Sequence, residues 1–155
     1  MYNKLPKKER DMVYLKEINS ENFWDVIELK VHEEQKEYVL ENSISIAQAK
    51  VQPECIPMAI YDDEKLVGFL MYCIDRDDGN YWIYRFMIDK NFQRKGYAKK
   101  AMELLLNEIK KDKNHNKIVL DVKKESIAAV ELYKGFGFKF NGQVFGTSYV
   151  MELDY

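Results

Sequence analysis

The chain is short of the residues that build covalent or metal frameworks. It has two cysteines, Cys55 and Cys73, among 155 residues. Their spacing matches no metal-ligand pattern, and one pair makes no disulfide framework. They read as reduced core or strand thiols of a cytosolic protein. Proline is scarce, and Pro53 and Pro57 fall together, where they interrupt the chain before a strand. No apolar run approaches the roughly 20 residues of a membrane span. Met1 to Arg10 is charged and lacks the apolar core of a signal peptide. Neither sign of charge is in excess: the net charge is −2 and the pI about 5.8. Without a global basic field a nucleic-acid partner is disfavoured. No internal repeat, low-complexity tract or linker divides the sequence. These absences leave one expectation: a soluble cytoplasmic protein, one domain over residues 1–155, with residues 1–10 as a flexible tail.

What is present fills a core, since 46% of the residues are hydrophobic. Met12 to Ile18 alternates as a first strand. Asn19 or Ser20 caps a helix through Phe23, Trp24, Val26, Ile27 and Leu29. Glu33 to Leu40 reads as helical, and Ser43 to Lys50 as another short helix. Met58–Tyr61 and Leu66–Cys73 flank Asp62-Asp63-Glu64-Lys65 as a hairpin with an acidic turn. Tyr81 to Ile88 is a third strand. Tyr97 to Ile109 carries a helical apolar stripe at Ala98, Ala101, Met102, Leu105 and Ile109. Lys117 to Val122 is an interior strand. Ser126 to Phe136 is helical, and strands at 138–143 and 149–153 close the chain around Gly146. The order β-αα-βββ-α-β-α-ββ is an α/β domain with a mixed sheet.

The chemistry concentrates between strand and helix, at Asp89 to Lys100. Gly96 lets a ligand approach the backbone, and the helix start offers unpaired N–H groups with partial positive charge. Arg94, Lys95, Lys99 and Lys100 add charge. Together they suit a phosphate or pyrophosphate. The loop lacks Gly-Lys-Ser/Thr and Gly-x-Gly-x-x-Gly, so it is neither a Walker loop nor a dinucleotide turn.

Gln93-Arg94-x-Gly96-x-Ala98, after Phe86-Met87-Ile88, resembles the pyrophosphate loop of the GNAT superfamily of acetyl-CoA-dependent N-acetyltransferases. Ser126-x-x-Ala129-x-x-Leu132-Tyr133-x-x-Phe136-Gly137-Phe138 resembles that family's second motif, with Ser126 where Asn is usual. The resemblance implies a GNAT fold: a mostly antiparallel mixed sheet flanked by helices, with splayed strands holding CoA. The strand ending at Phe86, Met87 and Ile88 would part from Lys117–Val122 and pair its freed backbone with the pantetheine arm. N–H groups around Ile88 would face the thioester oxygen. Gln93, Arg94, Lys95, Gly96, Tyr97, Ala98 and Lys99 would hold the pyrophosphate, with Ser126 and Ala129 beside the pantetheine. Tyr133 would be the general acid that protonates the leaving thiolate. From the residues alone, Tyr133 is a core aromatic on a helix stripe and Ser126 a helix cap.

The acceptor side is less defined. On a helix, Glu34, Glu37 and Glu41 share a face, and Glu33 nearly joins them, with Tyr38 alongside. Such a row is either an ordinary solvated face or a seat for a polycationic amine. Gln35, Tyr38, Val39, Asn42, Ser45, Ala47 and Ala49, with Gly68-Phe69-x-Met71-Tyr72, resemble bacterial spermine/spermidine (diamine) N-acetyltransferases. The resemblance implies a primary amine such as spermine or spermidine as acceptor, attacked directly in a ternary complex. Glu33, Glu34 or Glu41 through water, or Tyr84, could serve as base; alternation places Tyr84 with Phe86 and Ile88. His32 reads as a surface residue. No cysteine stands beside a base, which disfavours a covalent enzyme intermediate. Two alternatives stand: the same chemistry on an aminoglycoside, amino acid or protein N-terminus, or a non-catalytic CoA-binding regulatory module. The resemblance also implies a homodimer through Phe138 to Tyr155. No metal is expected.

Overall fold

A computed structural model describes residues 12–155, so the expected tail at 1–10 lies outside the described residues. Seven strands form one sheet in the order β1-β2-β3-β4-β5-β7-β6. They are β1 (Val13–Glu17), β2 (Ile56–Asp62), β3 (Lys65–Ile74), β4 (Tyr81–Ile88), β5 (Lys117–Lys123), β6 (Lys139–Phe145) and β7 (Ser148–Asp154). Every pair is antiparallel except β4 with β5. Four helices flank the sheet: α1 (Phe23–Glu28), α2 (Asn42–Val51), α3 (Tyr97–Ile109) and α4 (Ile127–Gly135). The element order matches the expected one.

The sheet has a core on each face. On one face α3 and α4 cover Ile60, Leu70, Ile83, Ile118, Leu120 and Met151. The α3 stripe supplies Ala101, Met102, Leu105 and Ile109, all buried. Each large side chain of that stripe contributes about 1.5–3 kcal/mol through burial. On the other face Val26 of α1, with Ile46 and Ala49 of α2, packs on Ala59, Phe69, Met71 and Met87. Cys55 and Cys73 belong to this second core and are free thiols.

Two expectations are corrected. Glu33 to Leu40 is not a helix: Glu33–Gln35 makes one 3-10 turn and the chain then bends towards α2. Long-range bonds pin the segment at both ends. The Gln35 side chain accepts from His32 N–H at 3.1 Å and pairs with Gln93, 58 residues away. Asn42 Nδ2 donates to the Val26 carbonyl at 3.0 Å. The glutamates therefore share no helix face. Second, Tyr84 does not share a face with Phe86 and Ile88. A β-bulge opposite Met71/Tyr72 pairs Met71 with Arg85 and Tyr72 with Ile83. The extra residue breaks the alternation. Tyr84 packs into the second core, Phe86 and Ile88 into the first.

Candidate active site

The site forms where β4 and β5 part. They pair only at Tyr81–Ile118, Trp82–Val119 and Ile83–Leu120. Beyond Ile83, β4 follows β3, while β5 stays paired with β7 to Lys123. Gly68 lets β3 approach at this point, since a Cβ there would lie 2.5 Å from the Met87 carbonyl oxygen. The edge of Tyr84 to Ile88 that faces β5 is left without a strand partner among the described residues. Such an edge can pair with an amide-bearing chain, as the pantetheine arm is.

A cavity of about 110 Å³ occupies the gap. Tyr84, Arg85 and Phe86 line it from β4, and Asp121 and Lys123 from β5. Ser126, Ala129 and Tyr133 close the α4 side, and Tyr38 and Val39 the connector side. Tyr133 is 8% exposed and its ring meets Phe138 edge-on at 5.9 Å. Its hydroxyl has no hydrogen-bond partner among the described residues. Burial, then the negative charge of Asp121, pushes this phenol up to about 12. It stays protonated at neutral pH, the form that a proton donor needs. Ser126 precedes α4, yet its hydroxyl makes no capping bond. The capping role expected from the residues alone is thus absent, and the hydroxyl is free to face the cavity.

The β4–α3 loop lies beyond the cavity's end. Arg94 (φ 61°) and Gly96 (φ 84°) are left-handed. The N–H groups of Arg94 to Lys99 find no acceptor among the described residues. That array and the helix dipole fit a pyrophosphate. The side chains of Arg94, Lys95 and Lys99 are exposed beside it, and Lys95 Nζ stands 5.7 Å from the Phe92 ring. Other side chains of the expected loop set serve the frame. Gln93 Nε2 donates to Gln35 Oε1 at 2.8 Å and to the Ile88 carbonyl at 3.0 Å. Tyr97 donates to Asp62. Asp89 accepts from Lys30 N–H at 2.9 Å and from Asn91 N–H at 2.9 Å. Ile88 and Ala98 offer backbone here, since their side chains pack in the first core, whereas the Met87 carbonyl faces Gly68 of β3.

On the acceptor side the structure brings Tyr38 and Tyr84 to the cavity, and leaves Glu33, Glu34, Glu37 and Glu41 exposed outside its lining. The Tyr84 hydroxyl donates to Asp75 Oδ2 at 2.5 Å. Burial, then that bond, drives the phenol far upward, so Tyr84 is a poor base. Sequence reasoning missed Arg85 and Asp121. Arg85 is the one charge of β4 and Asp121 the one acid of β5, set between Leu120 and Val122, and that was the available signal. Arg85 donates from Nη1 to the Tyr84 carbonyl at 2.7 Å and from Nη2 to Gln48 Oε1 at 3.1 Å. Burial lowers its pKa, and Asp121 opposes that.

Comparison with known proteins agrees with this geometry. Residues 15–138 match the model of the Acetyltransferase (GNAT) family. Over 138 residues the chain is 30% identical to a spermine/spermidine N(1)-acetyltransferase of Bacillus subtilis (strain 168), covering 85% of this chain and 91% of that protein. A probable spermine N(1)-acetyltransferase of Bacillus subtilis subsp. natto (strain BEST195) gives the same identity and coverage. The fold resembles the Vibrio cholerae spermidine N-acetyltransferase solved with CoA and spermine, at a TM-score of 0.74 and 18% identity, over 92% of this chain and 95% of that one. With a splayed sheet, a free N–H array at α3 and that match over most of its length, the chain belongs to the GNAT family and is an acetyl-CoA-dependent N-acetyltransferase.

Proposed function

We propose that the acceptor is a polyamine or diamine such as spermine or spermidine, acetylated by direct attack in a ternary complex. The transfer chemistry rests on one observation above others: the Tyr133 hydroxyl, protonated and without a partner among the described residues, at the wall of the cavity where β4 and β5 part. The polyamine reading is supported by the two Bacillus relatives. It is also supported by the exposed Glu33, Glu34, Glu37 and Glu41, in or beside the connector whose Tyr38 and Val39 line the cavity. Their field attracts a polycation without a fixed contact.

In this reading the N–H groups of Arg94 to Lys99 hold the pyrophosphate, and the free edge of Phe86 to Ile88 orients the pantetheine arm. Ser126 and Ala129 flank that arm. Backbone N–H at Ile88 stabilises the charge that develops on the thioester oxygen. Tyr133 gives its proton to the departing sulfur. The test is CoA release from acetyl-CoA with spermine, spermidine, putrescine, an aminoglycoside and a lysine peptide. Turnover on the polyamines, weakening as salt screens the acidic approach, is expected. Turnover confined to another amine overturns the polyamine reading and keeps the transferase.

A further inference from the structure

We propose that Asp121 is the carboxylate that seats the acceptor's ammonium group and takes its proton. The inference rests on the reading of this cavity as an amine-acetylating site, and supplies the proton acceptor that reading lacks.

Asp121 follows Leu120, the last residue of β5 that pairs with β4. Its neighbours Leu120 and Val122 are buried in the core beneath α3 and α4. By alternation its side chain points to the opposite face, where α1 and α2 lie. Arg85 lies on that same face, since its guanidinium is held by Gln48 of α2. Asp121 therefore stands beside the opening on the face away from α3 and α4. It lines the same cavity as Tyr133, and its charge is felt by both Tyr133 and Arg85. Its carboxylate has no hydrogen bond or ion pair among the described residues, so both oxygens are available. The rivals are weaker: the Tyr84 hydroxyl is committed to Asp75, and the connector glutamates do not line the cavity.

The charged and titratable groups around Asp121 are Tyr84 and Arg85 of β4, Tyr38 of the connector, Lys123 of its own strand and Tyr133 of α4. From β7 it meets the apolar Val150. An alkylammonium is only about 0.1% free amine at pH 7, so a nearby proton acceptor raises the reactive fraction. The protons balance. The ammonium gives one proton to an Asp121 oxygen, and the freed nitrogen attacks the thioester carbon. The carbon–nitrogen bond forms, the carbon–sulfur bond breaks, and the sulfur takes the Tyr133 proton. The second proton lost by nitrogen restores Tyr133, and Asp121 releases its proton to water. One proton leaves per turnover.

The test compares the parent enzyme with Asp121→Asn and Asp121→Glu across pH, using the amine that turns over best, with acetyl-CoA affinity measured by calorimetry. The expected result for Asp121→Asn is a fall in kcat/KM for the amine of about 100-fold at pH 7. That deficit should close as pH approaches about 10, where the amine sheds its own proton. Asp121→Glu should recover part of the loss, and acetyl-CoA affinity should be unchanged in both. A deficit under threefold at pH 7, one that is equal at every pH, or a matching loss of acetyl-CoA affinity overturns the inference alone. A parent enzyme with no turnover on any amine overturns the functional reading and this inference together.

Discussion

At the scale of single residues, Tyr133 and Ser126 separate chemistry from architecture. Tyr133→Phe keeps the ring that packs on Phe138 and removes only a hydroxyl without a partner among the described residues. Its melting temperature at neutral pH should therefore match the parent within the effect of a surface change. Its kcat should fall by about 100-fold or more if the phenol protonates the leaving sulfur. Stopped-flow CoA release, read beside acetyl-CoA affinity, tells lost chemistry from lost binding. Ser126→Ala makes the opposite use of the same logic. A capping serine replaced by alanine typically costs about 1 kcal/mol of stability. Here the hydroxyl makes no capping bond, so stability should not move. KM for acetyl-CoA should rise by about two- to tenfold, the worth of one hydrogen bond. A drop in thermal midpoint with unchanged KM would return Ser126 to a purely structural role.

At the scale of elements, the splay depends on how tightly β3 holds β4. A Cβ at Gly68 would lie 2.5 Å from the Met87 carbonyl oxygen and 2.9 Å from Ile88 Cδ1. The first contact is backbone and cannot swing aside. Gly68→Ala should cost about 1–3 kcal/mol, as overpacking does. It should also move Phe86 to Ile88, so urea titration should show the loss together with a raised KM for acetyl-CoA. Gly68 was readable only as part of a resemblance, because the close approach belongs to two strands and to neither alone. The strongly periodic elements were readable: β4 and α3 fall at Tyr81–Ile88 and Tyr97–Ile109, as the apolar patterns indicate. Each buries a face that its own sequence marks. Glu33 to Leu40 marks no such face, and the amide pair of Gln35 with Gln93 decides its path. The bulge at Tyr84 was hidden for the same reason, since its cause is the register with β3. Arg85 was visible as the one charge of β4 and Asp121 as the one acid of β5, but their sharing a cavity required the sheet to open.

At the scale of the whole molecule, several buried acids are held protonated beyond their ordinary range. Burial pushes Tyr133 and Cys73 each up to about 12, and drives Tyr84 up as well. Tyr133 belongs to the core under α3 and α4, the other two to the core under α1 and α2. Both halves of the packing thus depend on groups staying neutral. The unfolded chain ionises its tyrosines near 10 and its thiols near 8.5. Above those values the unfolded state binds fewer protons than the folded one, so stability declines as pH rises. The contribution is fully present below the unfolded values and is lost as pH climbs through about 12. For Tyr133, 8% exposed, the rise to about 12 corresponds to at most about 3 kcal/mol. Thermal midpoints by circular dichroism should hold level between about pH 7 and 8, then fall increasingly steeply above about 10. Tyr133→Phe removes one ionising group, so its midpoint should fall less steeply over the same range, its unfolding free energy losing about 1.4 kcal/mol less per pH unit between about 10 and 12. Parallel curves for parent and variant would show that the phenol ionises alike in both states. Such a phenol would be solvated in the fold, and burial would not be what keeps it protonated.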